Sequence, residues 1–209
     1  HPLDRYREVV RAFEPVTSAT LGEYPGQAVE LACVVTSVAR QISRKDNSEW
    51  GKITVEDFQG TATILAFREV WQSCRDVLQQ DAVVVVTGKV SSRERDEEDP
   101  PLFLDAARPM EELTLSGELC VQIELELGST VPETAFAEAK KVLATHPGAS
   151  PVVVQVGSDN GDRAPRLKSR TLRASPDAET VDALQKLFGR GNVRLVRTST
   201  PTPAAGNSW

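Results

Sequence analysis

The residues of this sequence that could bind an unpaired polynucleotide lie close together, between positions 40 and 52. An aromatic ring can stack on a base, and a neighbouring cation can neutralise a phosphate. This stretch contains both kinds of group: Arg40, Arg44, Lys45, Trp50 and Lys52. We therefore treat these five residues as candidate nucleic-acid contacts.

A purely structural interpretation of the same residues is the alternative. A single aromatic side chain more often covers a hydrophobic edge than binds a ligand, and Trp50 could do only that. The loop 40–49 also contains Asp46 and Glu49, so it could be an ordinary solvated hairpin. A second loop, 91–101, contains two arginines against five carboxylates. Such a loop would repel phosphates, which leaves the first loop as the better candidate.

The pattern around the candidate contacts predicts a small β-barrel over residues 27–110. Apolar and polar residues alternate in five segments, and in one insert the apolar residues recur at the spacing of a helix. The predicted strands cover 27–44, 50–56, 60–67, 82–92 and 102–109, with a helix over 68–80. Five strands with a helix after the third is the order of an OB-fold. Trp50 and Lys52 would then share the outward face of the second strand.

The hydrophobic pattern restarts after Met110, which predicts a second domain over residues 118–197. Its predicted order is β-α-β-β-α-β, which suggests a ferredoxin-like α+β domain. The remaining segments are predicted as a helix and linker from a preceding domain (1–26), a linker (111–117) and a disordered tail (198–209).

A second group of cations alternates along one predicted strand of the last domain, namely Arg166, Lys168 and Arg170. They could form a partner-binding surface. A ferredoxin-like sheet would, however, place this strand beside the one that contains Glu124 and Glu126. Mutual neutralisation across the two strands is therefore the alternative.

Composition limits the possible functions. The chain has 209 residues, enough for two modest domains, and its net charge is −6. A generally basic DNA-binding surface is therefore disfavoured, and any contact must come from a local patch. No apolar run approaches the ~18 residues of a membrane span. Three widely spaced cysteines predict reduced thiols in an intracellular protein.

No pattern in the sequence resembles a catalytic site. The histidines are at a chain end and at a predicted helix stop, and no phosphate loop or metal-ligand spacing is present. We therefore expect a non-catalytic binding module without a cofactor. The only methionine is Met110, so we also expect a piece of a longer chain.

Several strings of residues carry a resemblance to a known family. They are HPLDRY at 1–6, GQAVELACVVT at 26–36, TVED at 54–57 followed by Gly60, DAVVVVTGKV at 81–90 and HPG at 146–148. Together they resemble the C-terminal region of the alpha subunit of bacterial DNA polymerase III, the C-family replicative polymerase. The resemblance covers essentially the whole chain apart from the tail.

The resemblance implies a role in DNA replication. The palm and PHP domains of a DNA-directed DNA polymerase, a nucleotidyltransferase, would precede residue 1. The OB domain would contact single-stranded template DNA through Arg40, Arg44 and Lys45, and the last domain would bind the clamp-loader tau subunit. The sliding clamp would be bound only by regions upstream, in a cytoplasmic replisome with no membrane contact. In the family this loop is often more basic where the present chain has Asp46 to Glu49.

Two other functions stay open at this point. The chain could be a pure protein-interaction module of the replisome, with the barrel as a rigid spacer and no measurable DNA binding. It could also be an OB domain from an RNA-binding or synthetase context.

Overall fold

A computed structural model describes residues 2–92, 99–127, 132–156 and 166–198. Contacts divide the chain into two compact units. The first unit comprises His1–Asp4 and Glu14–Glu111, and the second comprises Arg5–Phe13 and Glu112–Trp209.

The first unit is a closed five-stranded barrel. Its strands are β1 (Ala28–Ile42), β2 (Glu49–Glu56), β3 (Thr61–Phe67), β4 (Val83–Val90) and β5 (Leu102–Pro109). The strand order around the barrel is β1-β2-β3-β5-β4, and β4 pairs back with β1. The β3–β5 pair is parallel, and the other pairs are antiparallel. The predicted OB-fold is confirmed.

The barrel core follows from the alternation of inward and outward residues, which is most regular in β2 and β3. Inward positions of the five strands are buried, among them Leu31, Cys33, Ile53, Val55, Ile64, Val86 and Leu102. The insert between β3 and β4 contributes Trp71 and Leu78 to the same core. Its helix covers Arg68–Cys74 and is shorter than the predicted 68–80.

The segment ahead of β1 belongs to the barrel, although residues 15–25 were expected to be part of a linker. It contains a 3-10 helix, Ser18–Glu23, whose Leu21 is buried in the barrel core. The Asp57 carboxylate accepts hydrogen bonds from the backbone N–H and the hydroxyl of Ser18, both at 2.6 Å. The same carboxylate accepts from the backbone N–H groups of Gln59 and Gly60, so it also shapes the turn between β2 and β3.

The second unit has the predicted order of elements. After a helix at Met110–Ser116 it contains β6 (Val121–Leu127), a helix at Glu133–Thr145, β7 (Ser150–Val156), β8 (Arg166–Ala174), a helix at Ala178–Phe188 and β9 (Val193–Arg197). Residues 111–117, predicted as a linker, are thus mostly helical.

The strand order of the second unit is not that of a ferredoxin-like sheet. The order is β8-β7-β6-β9, and β6 and β7 are parallel neighbours. A ferredoxin-like sheet would place the first and third strands side by side, whereas here β7 separates β6 from β8. The physical reason is that the helix at Glu133–Thr145 connects two directly adjacent parallel strands.

The N-terminal helix, Arg7–Phe13, packs in the second unit. Val9 and Phe13 are buried, and the Arg197 guanidinium donates to the backbone oxygen of Phe13 at 2.8 Å. The same guanidinium lies 4.8 Å from the centroid of the Phe13 ring. This segment was expected to be a helix from a preceding domain.

The three cysteines are free. Cys33 and Cys74 are buried and Cys120 is half-buried. Burial, with a smaller contribution from the charge of Asp57, raises the pKa of the Cys33 thiol far above its ordinary value. Within the described ranges, no helix is both long enough and apolar enough to cross a membrane.

Candidate nucleic-acid interface

Strand β2 presents Trp50 and Lys52 on its outward face. Ile53 and Val55 alternate with them and are fully buried in the barrel core. Lys52 is exposed and Trp50 is half-buried. The two side chains therefore share one accessible surface, as the alternation predicted.

Trp50 belongs to a cluster of three rings that sequence reasoning did not find. Trp50 and Phe67 are direct cross-strand partners on β2 and β3, and their ring centroids are 5.6 Å apart. Phe67 also contacts Phe103 of β5, with centroids 6.1 Å apart. Phe67 is 43% exposed and Phe103 is half-buried. We call Trp50, Phe67 and Phe103 the ring cluster.

Two lysines lie on the same outward surface, in one row across four strands. Lys52 of β2 pairs with Leu65 of β3, Leu65 with Phe103 of β5, and Phe103 with Lys89 of β4. Lys52 and Lys89 are exposed, and neither forms an ion pair with a residue that the structure describes. The row therefore has a positive charge at each end and apolar side chains in the middle.

Finding the ring cluster and Lys89 from the sequence requires knowledge of the strand order in the barrel. Phe67, Lys89 and Phe103 all occupy outward positions of their strands, and that alternation is visible in the sequence. The parallel pairing of β3 with β5 joins residues 38 positions apart, Leu65 and Phe103. No local pattern encodes that pairing.

Arg40 lies on the other face of the β1–β2 hairpin. The pairing of the two strands skips a residue between Val35 and Ser37, so that Arg40 lies opposite Gly51 and not opposite Trp50 or Lys52. Its guanidinium forms an ion pair with Glu49. The structure thus separates Arg40 from the other candidate contacts.

The loop between β1 and β2 is closed by hydrogen bonds to Asp46. This carboxylate accepts from the Ser48 hydroxyl at 2.7 Å and from the Arg68 guanidinium at 2.6 Å. The Ser48 and Ser43 side chains are the largest causes that hold the pKa of Asp46 far below its ordinary value, and Arg68 adds a smaller contribution. Arg44 and Lys45 project from this loop, are exposed, and have no ion pair within the described part of the chain.

Gly51 explains how β2 can lie so close to the barrel core. A Cβ atom at this position would lie 2.5 Å from two ring carbons of Trp71, which is too close for any side chain. Trp71 is buried, and its Nε1 has no hydrogen-bond partner among the described residues. Glycine thus lets the backbone of β2 rest directly on the Trp71 ring, and this contact fixes the strand that presents Trp50.

The acidic loop 91–101 is described only at its two ends. The Ser91 backbone N–H donates to the Pro101 oxygen at 2.9 Å, which closes the base of the loop next to β5. Of the five carboxylates behind the predicted repulsion of phosphates, four lie in residues 93–98, outside the described residues, and the fifth, Asp99, is exposed.

The second predicted cation group is partly neutralised. Arg166 forms an ion pair with Glu124 although β7 lies between their strands, and Arg194 pairs with Glu126 at 3.2 Å. Lys168 is exposed and forms no ion pair in the described ranges.

Arg170 does not continue the alternation of Arg166 and Lys168 as predicted. The β7–β8 ladder is interrupted after Lys168 and resumes at Arg173. In the interruption the Ser169 hydroxyl accepts a hydrogen bond from the backbone N–H of Leu172 at 2.9 Å, which is typical of a local turn. Arg170 is therefore exposed but not aligned with the other two cations.

Within the described residues, no group of three or more His, Cys, Asp or Glu side chains is arranged to hold a metal ion.

The barrel matches a family model for OB-fold nucleic acid binding domains, the tRNA anticodon family, over residues 29–116. Longer similarities are to DNA polymerase III subunits alpha of several bacteria. The DNA polymerase III subunit alpha of Pseudomonas fluorescens is 26% identical over 196 residues, which is 93% of this chain. That of Mycobacterium tuberculosis is 29% identical over 200 residues, or 91% of this chain.

The resemblance to the alpha subunit of DNA polymerase III is confirmed. It extends over both units of the chain. The chain spans 16% of the length of each of these two alpha subunits.

Solved structures with a similar barrel share little sequence with the chain. The second OB-fold domain of replication protein A from Methanococcus maripaludis is 14% identical and aligns over 46% of this chain and 96% of that chain, with a TM-score of 0.36. The SSB domain of a Synechococcus protein is 14% identical over 39% of this chain and 92% of that chain, with a TM-score of 0.35. At these scores the two structures add nothing to the assignment of a site.

Proposed function

We propose that the first unit binds single-stranded template DNA, without a requirement for a particular base sequence, as part of a DNA polymerase III alpha subunit. The observation that supports this most directly is the shared outward face of Trp50 and Lys52 on β2. Arg44 and Lys45 project from the loop that precedes this strand. The surface thus combines a ring for stacking with cations for phosphates. In this proposal the unit positions template, and nucleotidyl transfer belongs to other regions of the subunit.

The local charge agrees with weak binding by an acidic chain. The net charge of −6 gives no long-range attraction to DNA. Three cations near the surface have no ion pair among the described residues: Arg44, Lys45 and Lys52. If these neutralise about three phosphates, the slope of log affinity against log salt should be about −2 for a single strand.

The test is a titration of the whole chain with labelled single-stranded DNA at low salt. Replacing Arg44 and Lys45 with alanine should weaken binding and flatten the salt dependence. Lys140→Ala with Lys141→Ala is the matched control, because these two exposed lysines lie on a helix of the second unit. Unchanged affinity in the Arg44/Lys45 variant would remove this loop from the interface.

The alternative of an RNA ligand is addressed by the same assay. The matching family model is described only as nucleic acid binding. The affinities for DNA and RNA of the same sequence are compared directly, and we expect DNA to bind at least as tightly as RNA. A clear preference for RNA would contradict a template-binding role.

A second candidate function belongs to the second unit, where Lys168 and Arg170 are exposed and have no ion pair in the described part of the chain. We propose that they contact an acidic segment of a partner protein, the clamp-loader tau subunit that the family resemblance implies. Lys168→Glu with Arg170→Glu should weaken capture of that subunit, whereas Arg190→Glu, an exposed control, should not. Capture that both variants retain would refute this surface.

A further inference from the structure

We propose that the ring cluster selects single strands whose bases are not stacked on one another, so that thymine runs bind more tightly than adenine runs. This inference rests on the proposed binding of single-stranded DNA by the first unit. It assigns Phe67, Phe103 and Lys89 to the interface and names the class of strand that this surface takes.

The spacing of the rings is the first step. The centroids of Trp50 and Phe67 are 5.6 Å apart, and those of Phe67 and Phe103 are 6.1 Å apart. Adjacent rings are tilted by 33° and 41°, so the three rings do not form one parallel column. Each ring thus presents its own surface to a ligand.

The second step compares this spacing with that of a stacked strand. Successive bases that stack on one another are about 3.4 Å apart along the strand. Bases that each contact a different ring of the cluster must be separated by the larger ring spacing. The bound strand must therefore lose its own base stacking, and this loss costs more free energy for adenine runs than for thymine runs, because purines stack more strongly.

The third step concerns the direction of the strand. Lys52 and Lys89 are at opposite ends of the row in which Leu65 and Phe103 form the middle. Three inter-strand spacings separate the two lysines, at most about 14 Å. A polynucleotide that crosses the β-strands over the ring cluster would thus find a cation on each side. We infer that Lys89 contacts a phosphate at the edge of the footprint.

The competing explanation is that the three rings only cover one another and the apolar edge between β3 and β5. Phe67 is 43% exposed and Phe103 is half-buried, so each has accessible surface left after these contacts. Under the competing explanation, replacing one ring with leucine would change stability but not the preference between bases. The preference is therefore the readout that separates the two explanations.

The experiment measures the affinity of the whole chain for thymine and adenine oligonucleotides of about 12 nucleotides, a length within the usual site sizes of OB-folds. We expect the thymine strand to bind about fivefold more tightly or better. Abasic positions in its centre should weaken binding by about fivefold each, the lower limit for one stacked base. Abasic strands leave the protein unchanged, so this result does not depend on how a variant folds.

The variants Phe67→Leu and Phe103→Leu should each reduce the affinity for the thymine strand and reduce its advantage over the adenine strand. Phe136→Leu is the matched control, since Phe136 is 39% exposed and lies in the second unit. Lys89→Ala should make the slope of log affinity against log salt less steep by about 0.7.

Equal affinity for both strands, together with insensitivity to abasic positions, would overturn the inference. If binding still depended on Arg44 and Lys45, the proposed binding of single-stranded DNA would stand and only the role of the ring cluster would be refuted. If no oligonucleotide bound at low salt, the proposed function itself would fall.

Discussion

Arg40 forms an ion pair with Glu49 on the face of the β1–β2 hairpin that is opposite to Trp50. Both residues are in the stretch that the sequence identifies as the most promising for nucleic-acid contacts. The extra residue in β1 between Val35 and Ser37 turns the guanidinium to the other face and gives it a carboxylate partner. The proposed binding surface consequently contains fewer loop cations and more aromatic rings than the charge pattern predicts.

Arg40→Ala should leave the affinity for single-stranded DNA nearly unchanged. The combined Arg44→Ala and Lys45→Ala variant should weaken it and make the salt slope less steep by about 1.4, because each lost phosphate contact removes about 0.7. The measurement is the affinity at several salt concentrations. A large loss with Arg40→Ala alone would mean that the Glu49 ion pair opens when DNA binds.

Ser18→Ala should destabilise the first unit by about 2 kcal/mol, because it removes a hydrogen bond to a buried carboxylate. The Ser18 hydroxyl donates to Asp57 at 2.6 Å, and both residues are buried. Urea unfolding of the variant measures the change in the free energy of unfolding. The control is Ser73→Ala, since Ser73 is exposed and, among the described residues, its hydroxyl bonds only to the Val70 oxygen of its own helix and to the adjacent Cys74. Equal stabilities of the two variants would contradict a structural role for the Ser18–Asp57 pair.

Gly51→Ala should destabilise the barrel by about 2 kcal/mol through overpacking. The added Cβ would meet the buried Trp71 ring at 2.5 Å, and neither β2 nor the core can move without loss of contacts. Near-ultraviolet circular dichroism should report the displaced indole. Gly191→Ala is the matched control, because a Cβ there would have no atom of the described residues within 4 Å apart from its chain neighbours. A native-like indole signal in Gly51→Ala would contradict the prediction, because it would mean that β2 accommodates the added Cβ without displacing the Trp71 ring.

Ser48→Ala should raise the pKa of Asp46 by more than Arg68→Ala does, because the Ser48 hydroxyl is the largest cause of its lowered value and Arg68 a smaller one. The folded-state pKa lies below the unfolded one. The stability that this carboxylate contributes is therefore fully present above the unfolded pKa and is lost as pH falls through the folded pKa. Carbon NMR of the Asp46 carboxyl measures the midpoint. The loop should thus keep its hydrogen bonds at pH values near 4, where an ordinary aspartate is half protonated.

The barrel could be predicted because its information is local. Alternation in five short segments, and a change of period between β3 and β4, determine the order of an OB-fold without knowledge of distant contacts. The outward direction of Trp50 and Lys52 follows from the same alternation. The pairing register of two strands cannot be predicted in this way. The skipped residue near Thr36 leaves no mark in the sequence pattern, yet it decides the face on which Arg40 lies.

The contacts that sequence reasoning missed all join distant positions. Phe103 meets Phe67 because β5 pairs with β3, and the Asp57 carboxylate accepts hydrogen bonds from Ser18, which lies in a segment expected to be a linker. In the second unit, the predicted order of elements was right. The predicted neighbour of β8 was wrong, because β8 lies beside β7 and not beside β6. The order β-α-β-β-α-β is compatible with the observed sheet and with a ferredoxin-like sheet. The two differ in whether the first connecting helix joins adjacent strands or strands with a third between them.

The helix Arg7–Phe13 has a practical consequence for dissecting the molecule. It is separated in sequence from the rest of its unit by the entire barrel. A polypeptide that starts at Glu112 would lack Val9 and Phe13, and Arg197 would lose both the carbonyl and the ring that it contacts. Such a truncated product should be prone to self-association through the uncovered apolar patch. Adding back a synthetic peptide of residues 5–13 should restore its solubility, in the manner of a split protein that reassembles from two pieces.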